Sequence, residues 1–289
     1  MYDDRYRHKS CELSIKLYLD FMKKNKTKIF TALALLLFLA ACSTVPLTGR
    51  KQLSLVDDNT MQQQASLAYR DLLKDPKTKV VKGTANAQMV QNVGKKIAQA
   101  VETYLRQNGY ANQYQFSWEF NLIDDAQVNA WCMPGGKVAV YTGILPVTQN
   151  EAGLATVMGH EIAHAIARHS SERASHELAA QGLGVGVGLA TNKQSQLTQV
   201  LVSQLYGVGS QVALLKYSRS QESEADRMGL TFMAMAGYNP NEATAFWKRM
   251  ATKASGQKPP EFLSTHPSDD RRIADIQGLI PEAMKYYKQ

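Results

Sequence analysis

Between residues 85 and 107 the apolar positions Met89, Val90, Val93, Ile97, Val101 and Leu105 fall on one stripe at helical spacing, and Gly109 follows where such a helix ends. A weaker helical pattern covers Asn59 to about Lys74. Phe116, Trp118, Phe120 and Leu122 alternate with Ser117, Glu119 and Asn121, the period of a half-buried strand. Pro134-Gly135-Gly136 reads as a turn leading into a second strand over 137–142. From residue 151 the pattern is almost wholly helical, broken near Asn192, Asn239-Pro240, 258–260 and His266-Pro267. No internal repeat interrupts it. The pattern predicts one α+β domain over 59–289, mostly helical, with a small sheet ahead of its central helix.

A different pattern precedes this body. Lys23, Lys24, Lys26 and Lys28 form a basic cluster, followed by an apolar run of thirteen residues over 29–41. A spanning helix needs about 20 such residues, whereas thirteen suit the core of a secretory signal. Leu39-Ala40-Ala41-Cys42 resembles a bacterial lipobox, in which Cys42 is diacylated and begins the mature chain. Met22 directly precedes the basic cluster and is a second candidate start, which makes 1–21 upstream sequence. Residues 1–41 are thus expected as a signal peptide and 42–58, with Pro46 and Gly49, as a lipidated tether. A short membrane anchor with an unmodified Cys42 is the alternative. Ser43 stands where an inner-membrane retention signal usually has Asp. By resemblance this favours the periplasmic face of an outer membrane.

Composition excludes more than it selects. The chain has 289 residues, 44% hydrophobic and 20% charged, too apolar for a disordered chain. Its formal net charge is +8, but residues 1–41 hold eight basic and four acidic side chains, so a chain without them carries +4. That gives no argument for a nucleic-acid partner. Three cysteines rule out a disulfide scaffold, and Cys132, left alone in the body, is expected to pack as a small hydrophobe.

The chemistry is concentrated in His160-Glu161-Ile162-Ala163-His164, an HExxH motif with Asn150 as the expected N-cap of its helix. Residues four apart share a helix face, so His160 and His164 can aim at one ion, and Glu161 can reach a water held by it. Two imidazoles and a carboxylate suit zinc, which lowers the pKa of a bound water to ~7. The surrounding Val157, Met158, Ile162, Ala163 and Ile166 make the helix apolar, and a buried helix does not carry two His and a Glu without partners. Arg168-His169 comes too early to supply a third ligand at metzincin spacing. Glu222 and Asp226, four apart on a later helix, can supply one carboxylate to the metal and one to the free N–H of a ligating His. Glu224 competes with Glu222 for the metal.

HExxH followed 58 residues later by Glu222-Ser223-Glu224-Ala225-Asp226 resembles metallopeptidase family 48. That group includes HtpX-like quality-control proteases, CAAX prenyl endopeptidases and periplasmic lipoprotein proteases. The resemblance covers roughly 60–280 and implies a zincin-like fold with one Zn2+ per chain. It implies His160, His164 and Glu222 as ligands, Glu161 as catalytic base and Asp226 as a support behind them. Asn129-Ala130-Trp131-Cys132-Met133-Pro134-Gly135-Gly136 is similar to the family's NAxxxPGG segment, an edge strand whose backbone, from Asn129 and Ala130 onward, pairs with substrate. Ser264-Thr265-His266-Pro267 also resembles the family, whose periplasmic members can use this His to fill zinc's open position and hold the enzyme latent. His266 can instead polarise the scissile carbonyl in an open form. Arg271 or Arg272 is expected to pair with a carboxylate near the site. Gly182-Leu183-Gly184-Val185-Gly186-Val187-Gly188-Leu189 matches no phosphate loop and is too short to cross a membrane, unlike the long apolar spans of the family's embedded members.

The expectation is a zinc endopeptidase, lipid-anchored at Cys42. Its substrates would be misfolded or stalled envelope proteins, and its candidate partner the outer-membrane assembly machinery. The rival is a zinc-bound chaperone or assembly scaffold with latent proteolysis.

Overall fold

The stripe over 85–107 becomes a helix because its apolar side chains have a sheet to cover. The computed structural model describes residues 42–180, 217–254, 260, 262–263, 266 and 270–287. The leader, the Met22 start and the glycine-rich stretch 182–189 lie outside the described residues. In chain order the elements are β1 (Cys42–Thr44), β2 (Lys51–Leu53), α1 (Asp58–Lys74), β3 (Val80–Val81) and α2 (Ala85–Gln107). Next come β4 (Glu119–Ile123), β5 (Ala130–Met133), β6 (Lys137–Tyr141), α3 (Leu145–Thr148) and α4 (Glu151–Ile166). They are followed by α5 (His169–Ala180), α6 (Arg219–Met235), α7 (Glu242–Ala254) and α8 (Asp270–Ala283). A small sheet and a helical body, the expected α+β class, are both present.

The main sheet runs β3-β4-β6-β5, with β4 and β6 parallel and the outer strands antiparallel to their neighbours. β6 is buried along its whole length. Val138 and Val140 join the core with α2 and α4, while Ala139 and Tyr141 face Met61, Ala65 and Tyr69 of α1. A strand covered on both sides reads as a continuous apolar run, as Val138-Ala139-Val140 does. Tyr69 fixes α1 to the sheet by donating its hydroxyl to the Val138 carbonyl at 2.8 Å and meeting Trp131 edge-on at 5.8 Å.

The first predicted strand begins later than its alternation suggests. Residues 116–118 are extended, but their partner is the turn rather than a strand: Ser117 and Glu119 donate backbone N–H groups to the Gly135 and Gly136 carbonyls, each at 3.0 Å. The Trp118 ring lies so close to Gly136 (φ +85°) that a Cβ there would stand 2.5 Å from it. Only glycine fits both the backbone and the space.

Part of 42–58, expected as a lipidated tether, packs against the body. Val45 is fully buried in the main core. β1 and β2 pair as a hairpin, closed by Gly49 N–H to Val45 carbonyl and Val45 N–H to Arg50 carbonyl at 3.0 and 2.8 Å. Pro46 and Gly49, read as signs of an irregular linker, sit in the turn of that hairpin. Ser43–Gln289 forms one compact unit. Among the described residues no helix is long and apolar enough to cross a membrane.

α4 is the central rod. Asn150 caps it, its side chain accepting from Gly153 N–H at 2.8 Å. It touches α2, α6, α7 and β5, and nearly every one of its residues is buried. α6 opens with a reciprocal cap, in which Ser218 and Gln221 each satisfy the other's backbone.

Candidate metal centre

α4 delivers His160 and His164 on one face, as the four-residue spacing requires. Their Nε2 atoms stand 3.1 Å apart. α6 brings Glu222, whose Oε1 is 3.3 Å from His164 Nε2 and whose Oε2 is 3.5 Å from His160 Nε2. His266, from the segment before α8, adds Nδ1 at 3.1 Å from His160 Nε2 and 2.9 Å from Glu222 Oε1. All four residues are buried, and their donor atoms lie within 4.8 Å of one another. A zinc ion with tetrahedral bonds of about 2.0–2.2 Å would place its donors about 3.3 Å apart. Three nitrogens and one carboxylate oxygen at this spacing fit it. Glu161 lies alongside: its Oε1 is buried with no hydrogen-bond partner among the described residues, and His266 Nε2 is 3.4 Å away. A buried carboxylate oxygen facing the donor cluster is where a water held by the ion would be met.

The two α6 glutamates point in different directions. Glu222 faces the donors, whereas Glu224 points around the helix to His169, 2.9 Å from its Nε2. Asp226 lies 2.9 Å from His160 Nδ1. Of the two arginines, Arg272 is the partner: it donates twice to Asp226 at 2.8 Å, lies 2.9 Å from Glu222 Oε2 and covers the Trp247 ring at 3.8 Å.

Burial sets the proton affinities against these charges. Burial alone would pull His160 down, but the Asp226 and Glu222 carboxylates outweigh it and hold the ring at about 9. Burial depresses His164 well below the usual imidazole range. It raises the Glu161 carboxyl, against the pull of His266 and His160. Glu222 is buried too, yet the three histidines around it hold it far below the ordinary carboxylate range.

Sequence reasoning passed over three members of this neighbourhood. Tyr217 stacks on the His164 ring with centroids 3.9 Å apart. His169, dismissed as too early for a ligand, stands behind His164 instead. Arg168 has φ +55°, a left-handed turn that ends α4 sharply and swings His169 back onto it. That uncommon backbone is held by Asp58 at 2.7 Å, by the Tyr114 ring at 4.3 Å and by the Gln113 carbonyl. Position five after the second His of HExxH was the available signal. Arg50, the third, is 174 positions from Glu224 and gave none.

Asn129 and Ala130 occupy the outer strand. Tyr141 N–H donates to the Asn129 carbonyl, so Asn129 faces β6 and Ala130 and Cys132 turn their backbone groups to the open edge. Cys132 is buried, and burial pushes its thiol well above its ordinary value.

The family model for peptidase family M48 matches residues 86–280, a span that contains every donor described above. The chain belongs to peptidase family M48. Among curated relatives, it is 32% identical over 241 residues to mitochondrial metalloendopeptidase OMA1 of Schizosaccharomyces pombe, covering 83% of this chain and 66% of that one. It is 31% identical over 172 residues to the beta-barrel assembly-enhancing protease of Yersinia pestis, covering 58% and 35%. The protein of that name from Escherichia coli K12 is 29% identical over 180 residues, covering 60% and 37%. The chain thus spans between about one-third and two-thirds of the length of these relatives. The mostly helical, zincin-like domain agrees with the M48 assignment.

Proposed function

We propose that the chain is a zinc metalloendopeptidase in a latent arrangement. The observation that carries this is the convergence of His160, His164 and Glu222 beside the orphaned Glu161 carboxylate, with His266 as a fourth donor. Zinc held there would supply an activated water and polarise a peptide carbonyl. Glu161, with its proton affinity raised by burial, takes up a proton at its carboxylate and hands it to the leaving amine. Asp226, itself gripped by Arg272, keeps His160 in the tautomer that leaves Nε2 free. The Ala130 carbonyl and the outward backbone groups of Cys132 offer the ladder along which an extended substrate would lie, the Ala130 N–H being taken by Asn129 Oδ1 at 2.9 Å while Asn129 anchors the strand to β6.

Latency rests on the same segment acting twice. Phe262 N–H donates to the Val128 carbonyl at 3.1 Å, taking up the end of the substrate edge, and Phe262 stacks on His266 at 4.5 Å. Four protein donors describe a closed site, and a catalytic one keeps a position open. Displacing Phe262 and His266 would free both.

The cell-envelope setting belongs to this reading as well: a chain lipidated at Cys42, on the periplasmic face of the outer membrane, degrading misfolded or stalled envelope proteins beside the outer-membrane assembly machinery. The names of the Yersinia and Escherichia relatives support it, while the mitochondrial relative from Schizosaccharomyces pombe aligns over more of the chain. The second reading, a zinc-bound scaffold, is favoured by the closed donor set alone.

The deciding experiment is cleavage of an unfolded protein by the full chain in detergent, loaded with one zinc. Wild type, Glu161→Gln, His266→Ala and the double variant are compared, with and without a chelator. Cleavage that rises in His266→Ala and vanishes on chelation and in the double variant supports the latent protease. A zinc-loaded His266→Ala chain that cuts nothing supports the scaffold.

A further inference from the structure

His169 is fully buried and meets the donor set at His164. Its Nδ1 lies 2.7 Å from His164 Nδ1, and its Nε2 lies 2.9 Å from Glu224 Oε2. Glu224 is in turn held from the amino-terminal hairpin: Thr48 Oγ1 donates to Oε1 at 2.5 Å and Arg50 Nε donates to Oε2 at 2.7 Å. Arg50 uses its other two nitrogens on both oxygens of Glu172, at 2.6 and 2.9 Å, and Gln221 donates to the same carboxylate at 2.7 Å. A continuous line of hydrogen bonds therefore runs from the β1–β2 hairpin to the back of His164.

The line has only one consistent proton arrangement. A neutral imidazole has one donor and one acceptor nitrogen. If His164 Nε2 gives its lone pair to the ion, its proton sits on Nδ1 and must be donated. Among the described residues its partner is His169 Nδ1 at 2.7 Å, which therefore accepts, and the proton of His169 sits on Nε2. A carboxylate can only accept, so Glu224 fixes that proton and with it the whole chain of tautomers. We propose that His169 is a positioning residue for the metal ligand His164, oriented by Glu224 and clamped through it by Arg50 of the amino-terminal hairpin. The hairpin, 43–53, thereby becomes part of the machinery that keeps the metal. Nothing in HExxH or the later ExxxD implies this. The strained turn at Arg168 is built for it, because an ordinary helical continuation would carry His169 round to another face.

This inference rests on the metal centre proposed above, and its test reads zinc affinity rather than cleavage. The metal-stripped full chain is titrated with zinc against a chromophoric chelator. Cobalt is then substituted, and its visible absorption reports the ligand field. Each metal-free variant is first checked by circular dichroism to be folded at the assay temperature. His169→Ala and Arg50→Ala are expected to lose on the order of 10- to 100-fold in zinc affinity, the usual cost of losing a group behind a metal ligand, and to shift the cobalt spectrum. His169→Asn, whose side-chain oxygen can accept where Nδ1 did, is expected to return affinity to within a few fold of wild type. A purely structural role would not separate Asn from Ala. Zinc affinities within twofold of wild type in both Arg50→Ala and His169→Ala would overturn the proposal, as would His169→Asn binding no better than His169→Ala. Should His169→Ala be unfolded, Arg50→Ala, which touches no ligand, carries the test alone. A wild type that takes up no zinc sinks the metal centre itself; a wild type with one zinc and unaltered variants sinks only this inference.

Discussion

Gly159 and Gly229 meet backbone to backbone where α4 crosses α6: a Cβ on Gly159 would stand 2.8 Å from the Gly229 carbonyl oxygen, and one on Gly229 would stand 2.8 Å from the His160 nitrogen. The contact is immediately next to His160, so it sets how far the histidine donors of α4 stand from Glu222 and Asp226 on α6. Substituting either glycine by alanine must push two helices apart, because the obstacle is main chain and cannot rotate away. Gly159→Ala and Gly229→Ala are each expected to cost about 1–3 kcal/mol of stability and to weaken zinc binding as the donors spread. Thermal melts and zinc titration check both. Unchanged melting with one tightly bound zinc would show that the crossing has slack.

Arg272 joins two buried carboxylates and covers Trp247. Truncation to alanine takes the guanidinium from Asp226 and Glu222 and leaves His160 as the cationic partner they share. Removing one partner of a buried pair typically costs about 3–5 kcal/mol. Lysine restores the charge but neither the two-pronged grip on Asp226 nor the flat contact with the indole, so Arg272→Lys is expected to recover only part of the loss. Denaturant unfolding of the metal-free chain measures this, and a lysine variant as stable as wild type would refute it.

What local spacing can encode was legible in the sequence. HExxH, the cap at Asn150 and the helix over 85–107 depend on neighbours within a few turns, and each appears where its pattern lies. The i,i+4 spacing to Asp226 favoured Glu222 but left Glu224 as a competitor, because both are near neighbours on α6 and which of them faces the histidines depends on how that helix is turned against α4. The hairpin escaped for a different reason. Pro46 and Gly49 are equally at home in a linker and in a tight turn, and the evidence that it packs is Arg50 finding Glu172 and Glu224, which are 122 and 174 positions away.

Acid should expose that same pairing. Glu172 and Glu224 are buried, which by itself would raise their carboxyls, but Arg50 together with Gln221 and Thr48 and the His169 ring holds both below the ordinary value. A carboxylate whose folded pKa lies below its unfolded value of about 4.3 contributes stability that is complete above that pH. The contribution is lost as pH falls through the folded value. In Arg50→Ala both carboxyls rise, so the acid-unfolding midpoint is expected to move to higher pH. Circular dichroism during acid titration of the metal-free chain checks the direction; an unmoved or lowered midpoint contradicts it.

Cys132 lies on the outer strand β5, yet its thiol is buried and burial raises it well above the range in which thiolate forms at neutral pH. Thiol reagents are expected to leave Cys132 unmodified in the native protein and to label it only after unfolding. Mass spectrometry of the intact and denatured chain distinguishes the two. Rapid labelling of the native protein would mean that β5 opens to solvent far more often than its packing allows.

The donors are gathered from distant parts of the chain, with His160 and His266 separated by 106 positions. During synthesis the ribosome releases α4 first, so an emerging chain carries the general base and two imidazoles with no carboxylate to complete the set. Glu222 follows, and His266 comes 44 residues after it. At about 5–20 residues per second, that gap lasts about 2–9 s. In the proposed latent arrangement the last donor to arrive is the one that closes the site.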